Sequence, residues 1–258
     1  MAPPATVRTG ATTRLGPVLL TRLGIPKLWR EDPELAWLIA RSTASPATIL
    51  LAPSFAYGAE RVPRTGGAVL AVNHLAAIDP PLVGALSPRA IHFMAKAELL
   101  AMPVVGDLLH WIGIFPVRRG EGDRDALRKA RERVRDGHVV GMFVEGTRQR
   151  FGYPGAVHAG GAIVAMQEGV PIVPCGVESF GWTRRNRRPC AVVFGEPFSL
   201  DELPRNGRGY KQGAEIIRAE IVRLWRQAGE AVAAGFPPEL PDGTPRSTWV
   251  RPWQAIVT

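Results

Sequence analysis

Gly67-Ala68-Val69-Leu70-Ala71-Val72-Asn73 sets an uncharged apolar pentapeptide between a glycine and an asparagine. A short run of this kind, bounded by turn formers, is the pattern of a strand buried on both faces. Ile91 to Met94, Ile112 to Phe115, Val139 to Phe143, Ile172 to Val177 and Ala191 to Phe194 share its character. Helical stretches fall between them. Ala97 to His110 carries an apolar face, and Pro103 is expected to bend or restart it. Asp123 to Asp136 opens with acidic residues, has a basic middle and is followed by Gly137 as a C-cap. Gly160 to Glu168 is short and apolar and closes on Gly169. Tyr210 to Ala234 gathers Ile216, Ile217, Ile221, Leu224 and Trp225 on one side. Strands alternating with helices predict an α/β fold with a mostly parallel central sheet flanked by helices.

Outward from this core the chain changes character. Residues 1–60 read as an N-terminal helical arm, in which leucines are interleaved with Arg14, Arg22, Lys27 and Arg30. That broken basic segment has two readings: it lies in a membrane interface, or it packs on its own domain with the basic residues in water. Ser42 to Ala59 carries no charge, but Pro46, Pro53, Gly58 and five Ser or Thr residues make it a poor membrane-spanning helix. Residues 61–234 form the expected α/β domain, and residues 235–258 a Pro-rich extended tail. Trp29, Trp37, Trp249 and Trp253 are open between interfacial anchors and core or docking residues.

The 258 residues suit one domain, and 46% hydrophobic against 21% charged is a globular balance. Lys and Arg total 32 against 23 Asp and Glu, a net charge of +9 that favours an anionic partner. Nucleic acid, an anionic bilayer or a phosphorylated substrate would each serve. Nothing resembles a recognition helix, an aromatic stacking pattern or a zinc module, which argues against nucleic acid and against a metal. Two cysteines, Cys175 and Cys190, exclude a disulfide framework and read as buried thiols in a reducing compartment. Arg184-Arg185-Asn186-Arg187-Arg188 is the densest charge run. It is open between a solvated loop, contact with anionic headgroups and binding of a carrier phosphate.

Three strand ends carry chemistry. Asn73-His74-Leu75-Ala76-Ala77-Ile78-Asp79-Pro80 follows the opening strand directly. A carboxylate five residues after a histidine can hold one ring nitrogen through a turn, leaving the other to take a proton from a hydroxyl. Phe143-Val144-Glu145-Gly146-Thr147-Arg148 ends a second strand; its glycine permits a tight turn, and Thr147 and Arg148 can donate to a phosphate. Gly113 to Gly120 places Arg118 and Arg119 past a third. The C-terminal ends of parallel strands are where such sheets bind ligands, so convergence on one anionic site is expected.

Over about residues 60 to 200 these blocks resemble the glycerolipid acyltransferases typified by 1-acyl-sn-glycerol-3-phosphate acyltransferase. Asn73 to Pro80 resembles that family's His-x4-Asp block, and Lys96-Ala97-Glu98-Leu99-Leu100 its Lys-x-Glu-Leu segment. Gly113 to Gly120, Glu145 to Arg148 and Val170 to Pro174 resemble three further blocks, in the family's order. Departures are Ala76 for the common Ser, Val144 for the common Pro and Arg118 for a frequent Asp.

The resemblance implies a catalytic pair, His74 as general base and Asp79 as its support. It also implies an acceptor site in which Arg119, Arg148 and Thr147 hold phosphate. Gly146 belongs to the same block, and Glu145 would position the arginines or the acceptor. The implied reaction moves a fatty acyl group from acyl-CoA or acyl-carrier protein, as co-substrate, to lysophosphatidic acid, giving phosphatidic acid. Another lysophospholipid or a glycolipid is the alternative acceptor. No cofactor or metal is implied. The protein is expected to contact the anionic cytoplasmic face of the cell membrane peripherally, and no secretory signal is expected.

Overall fold

The computed structural model describes residues 33–117 and 124–248. Seven strands among them make one sheet: β1 Ser54–Tyr57, β2 Ala68–Val72, β3 Ile91–Lys96, β4 Phe115–Val117, β5 Val139–Phe143, β6 Ile172–Glu178 and β7 Cys190–Phe194. Their order is β1-β7-β6-β2-β5-β3-β4, and only the β6/β7 pair is antiparallel. The helices are α1 Pro33–Leu51, α2 Asp79–Leu86, α3 Ala97–Leu100, α4 Val105–Trp111, α5 Arg124–Arg135, α6 Gly160–Glu168 and α7 Gly207–Ala233.

The opening pentapeptide is β2, the strand between β5 and β6, and all five of its side chains are buried. Their alternation feeds two cores. Leu70 and Val72 pack with Val173, Cys175, Ile78 and Leu82 on one face. Val69 and Ala71 pack with Ala130, Val164, Ile217 and Ile221 on the other. Coverage of both faces explains why the strand reads as a continuous apolar run rather than an alternating one.

Where structure and expectation differ, local chemistry gives the reason. The run at Ile112 to Phe115 becomes a strand only at Phe115, because the Ile112 amide still donates to Leu108 O (3.2 Å) and the Ile114 amide to Leu109 O (2.9 Å). The helix around Pro103 is restarted, as the proline predicts, into α3 and α4. Ser54 to Tyr57, assigned to the arm from the sequence, is β1 and pairs with β7. A four-residue edge strand between Pro53 and Gly58 is too short to show a period. Trp37 is a core residue of α1, with the Arg41 guanidinium 5.2 Å from its ring centre.

The Pro-rich tail is tied down as far as it is described. The Ser247 amide donates to Ala56 O (2.8 Å), Tyr57 Oη donates to Pro237 O (2.9 Å), and Leu240 is buried. The tail thereby covers the free edge of β1. Among the described residues no helix is long and apolar enough to cross a membrane. The basic segment Arg14 to Arg30, Arg118, Arg119, Trp29, Trp249 and Trp253 lie outside the described residues.

Candidate active site

β2 through β6 all point their C-terminal ends to one side of the sheet, and the site is assembled there. Its foundation is Asn73. Its Nδ2 donates to Val177 O (2.9 Å) and its Oδ1 accepts from the Val177 amide (2.7 Å). Val72 and Cys175 are the last paired residues of β2 and β6, so this side chain adds a further rung and fixes where His74 begins.

From that anchor the chain turns into α2, whose first residue is Asp79. Asp79 is wholly buried, and its Oδ2 accepts from the Leu75 amide (2.7 Å) and the Ala76 amide (2.8 Å). The same oxygen lies 2.9 Å from His74 Nδ1. Ser179 Oγ donates to the other oxygen, Oδ1, at 2.5 Å. A carboxylate surrounded by donors acts as acceptor, so Nδ1 carries the ring proton and Nε2 is left as the ring's acceptor. The imidazole stands 4.4 Å from the Phe143 ring, measured between centres, which limits its tilt.

Glu145 braces the same turn from β5. Its Oε2 accepts from the His74 amide (2.7 Å) and its Oε1 from the Gly155 amide (2.6 Å). Both oxygens thus accept from main chain, a bracing role that the sequence did not assign to this side chain. Burial pushes its carboxyl up to about 7, against the pull of the two amides and with a further push from the Asp79 charge. Gly146 supplies the turn: its φ is +69°, and a Cβ there would meet the His158 ring at 3.1 Å. The turn releases Thr147 and Arg148 to the surface beside His74, where both are exposed. The Gln149 amide then returns to His74 O (2.8 Å), binding the two loops together.

His74, Asp79, Glu145, Gly146, Thr147 and Arg148 are therefore brought to one place. Arg119 lies outside the described residues. Asn73 and Ser179 were not assigned roles from the sequence. Asn73 had a signal, its position between strand and histidine, whereas Ser179 is a hundred residues from its partner and had none. Burial drives the Cys175 thiol up and pushes Cys190 to about 12, so both stay protonated. An open, mostly apolar groove of about 870 Å³ lies between α1, β1 and the tail, and none of these site residues lines it.

Residues 55–178 match the family model described as Acyltransferase. The chain is 29% identical over 144 residues to a 1-acyl-sn-glycerol-3-phosphate acyltransferase of Bacillus subtilis, covering 55% of this chain and 71% of that protein. It is 30% identical over 171 residues to a lyso-ornithine lipid O-acyltransferase of Pseudomonas aeruginosa, covering 62% and 64%. The crystal structure of the 1-acyl-sn-glycerophosphate acyltransferase PlsC of Thermotoga maritima has the same fold. Its TM-score is 0.64 at 19% identity, covering 84% of this chain and 88% of that one. On the matched residues and these relatives, the chain carries an Acyltransferase domain similar to that of the 1-acyl-sn-glycerol-3-phosphate acyltransferases, and it is an acyltransferase.

Proposed function

We propose that the chain transfers a fatty acyl group from acyl-CoA or acyl-carrier protein to the free hydroxyl of lysophosphatidic acid, giving phosphatidic acid. The observation that carries this is the His74 Nδ1 to Asp79 Oδ2 contact of 2.9 Å, which leaves Nε2 as acceptor at the end of β2. Nε2 takes the proton of the acceptor hydroxyl as its oxygen attacks the thioester carbonyl. The tetrahedral oxyanion then collapses, the carbon–sulfur bond breaks, and the departing thiolate receives that proton from His74. Asp79 stabilises the imidazolium in between. Arg148 and Thr147, exposed beside the histidine, and Arg119 hold the acceptor phosphate, so that the hydroxyl arrives oriented. This chemistry uses no metal or cofactor. The protein works peripherally at the anionic cytoplasmic face of the membrane, a location supported by its net charge of +9.

The test is acyl transfer from acyl-CoA to lysophosphatidic acid. His74→Ala is expected to lower kcat by roughly 10²–10⁴-fold, the usual contribution of a general base. Equal rates for the two proteins would remove the assigned role. The lyso-ornithine lipid relative favours a second reading, the same chemistry on a different lysolipid or glycolipid acceptor. A panel of acceptors with and without phosphate, combined with Arg119→Ala, separates the two. Loss confined to phosphate-bearing acceptors supports lysophosphatidic acid.

A further inference from the structure

Among the described residues eleven large apolar side chains are exposed, and all but Leu50, Phe55 and Ile216 lie past strand ends. Leu99, Met102, Val104, Val105 and Leu108 are all at least 40% exposed and lie within ten residues, on the helical hairpin α3–α4. The hairpin leaves β3 at Lys96, so it stands at the same end of the sheet as His74. Its tip, Ala101 to Val105, is exposed throughout and uncharged. Val104 there takes φ 65° and ψ −54°, at the centre of a tight turn closed by the Val105 amide on Pro103 O (2.7 Å), a conformation that costs a β-branched residue about 1–3 kcal/mol. An exposed, apolar and strained tip has no reason in the packing of the domain.

Two more strand ends carry the same feature. Phe151 and Tyr153 are exposed after β5, and Phe180 after β6. The two loops touch: a Cβ on Gly152 would lie 2.9 Å from the Phe180 ring. β3, β5, β2 and β6 are consecutive in the sheet, so the apolar groups flank the His74 loop on both sides. Exposed Arg184, Arg185, Arg187 and Arg188 continue the loop after Phe180. Apolar side chains that reach outward with arginines beside them match a bilayer with an anionic headgroup layer. A second copy of the chain fits poorly, since pairing this face with itself would oppose like charges on a protein of net charge +9.

We propose that the α3–α4 hairpin, with the Phe151–Tyr153 loop, inserts into the surface of an anionic bilayer. Insertion turns the His74 site directly toward the lipid. The inference rests on the acyltransferase reading for its purpose, but its test does not use catalysis. Both native cysteines are buried, so Val104→Cys offers one accessible thiol for an environment-sensitive fluorophore. The full chain so labelled is mixed with vesicles of phosphatidylcholine alone or of equimolar phosphatidylcholine and phosphatidylglycerol. A blue shift with the mixed vesicles, reduced by high salt, is expected. The same label at Ile216→Cys, on the exposed side of α7, is expected to show none. In parallel, Met102→Asp combined with Leu108→Asp should weaken sedimentation with mixed vesicles about tenfold or more, as loss of two buried apolar side chains predicts. Sedimentation without a shift at position 104 would place binding elsewhere, for example on residues 1–32, and overturn the inference while leaving the enzymatic reading intact. Equal shifts at 104 and 216, or equal response to both vesicles, would overturn it too. A normal shift in a protein that transfers no acyl group would count against the enzymatic reading alone.

Discussion

Asp79 holds both a ring nitrogen and the backbone of its own turn, so its charge and its shape are separable by substitution. Asp79→Asn keeps an oxygen for the Leu75 and Ala76 amides and can turn its amide group to Ser179 Oγ, which then accepts. What it loses is the negative charge beside the imidazolium. The expected result is a near-native melting temperature with kcat lowered by roughly 10²–10⁴-fold. Glu145 behaves differently because its burial opposes its charge. Its folded-state carboxyl lies at about 7 against an ordinary value of 4.5, so its contribution to stability is fully present below 4.5 and is lost as pH rises through about 7. Relative to Glu145→Gln, the native protein should lose about 3 kcal/mol between those limits. Urea unfolding of both proteins near pH 5 and pH 8, compared pairwise, checks the sign; a difference that does not change with pH would contradict it. At this scale the spacing of His74 and Asp79 was legible, because the contact closes within one turn. The partners of Glu145 were not, because an amide carries no mark in the sequence that it will be the one left unpaired.

Among the elements, β6 and α7 meet most closely, and a glycine makes that possible. A Cβ on Gly176 would stand 2.3 Å from Trp225 N and 2.4 Å from Leu224 C, main-chain atoms that no rotamer can withdraw. Gly176→Ala must therefore push the helix off the sheet. We expect destabilisation of about 1–3 kcal/mol or more, and thus a melting temperature lower by about 2–4 °C for each kcal/mol. A thermal melt within a degree of native would show that α7 tolerates displacement. The helices themselves were largely legible, with Gly137 and Gly169 both at positive φ where the sequence places C-caps. The short elements were not: β1 has four residues and β4 three, and each exists only because a longer strand is there to pair with it.

The whole molecule depends on its tail to close the sheet. β1 is an edge strand, and the segment from Pro237 to Ser247 binds its Ala56 and Tyr57 while Thr244 accepts from Arg61 Nη2 (3.0 Å). A chain ending before Pro237 should have a lower urea midpoint and should scatter light on warming, since the uncovered edge can pair with another chain. A truncated protein that unfolds and stays dispersed like the full chain would show the edge to be safe without its cover. The alternation of the longer strands with helices, the buried β2 and the blocks around His74 and Glu145 followed from the sequence alone, because period, turn residues and short-range contacts are local properties. The tertiary structure alone decided that the arm supplies a strand and the tail its cover. It also decided that Ser179 and Asn73 lock the His74 turn and that Glu145 braces it through main-chain amides. Those contacts join residues up to about 190 positions apart, and their geometry exists only once the sheet has brought the strand ends together.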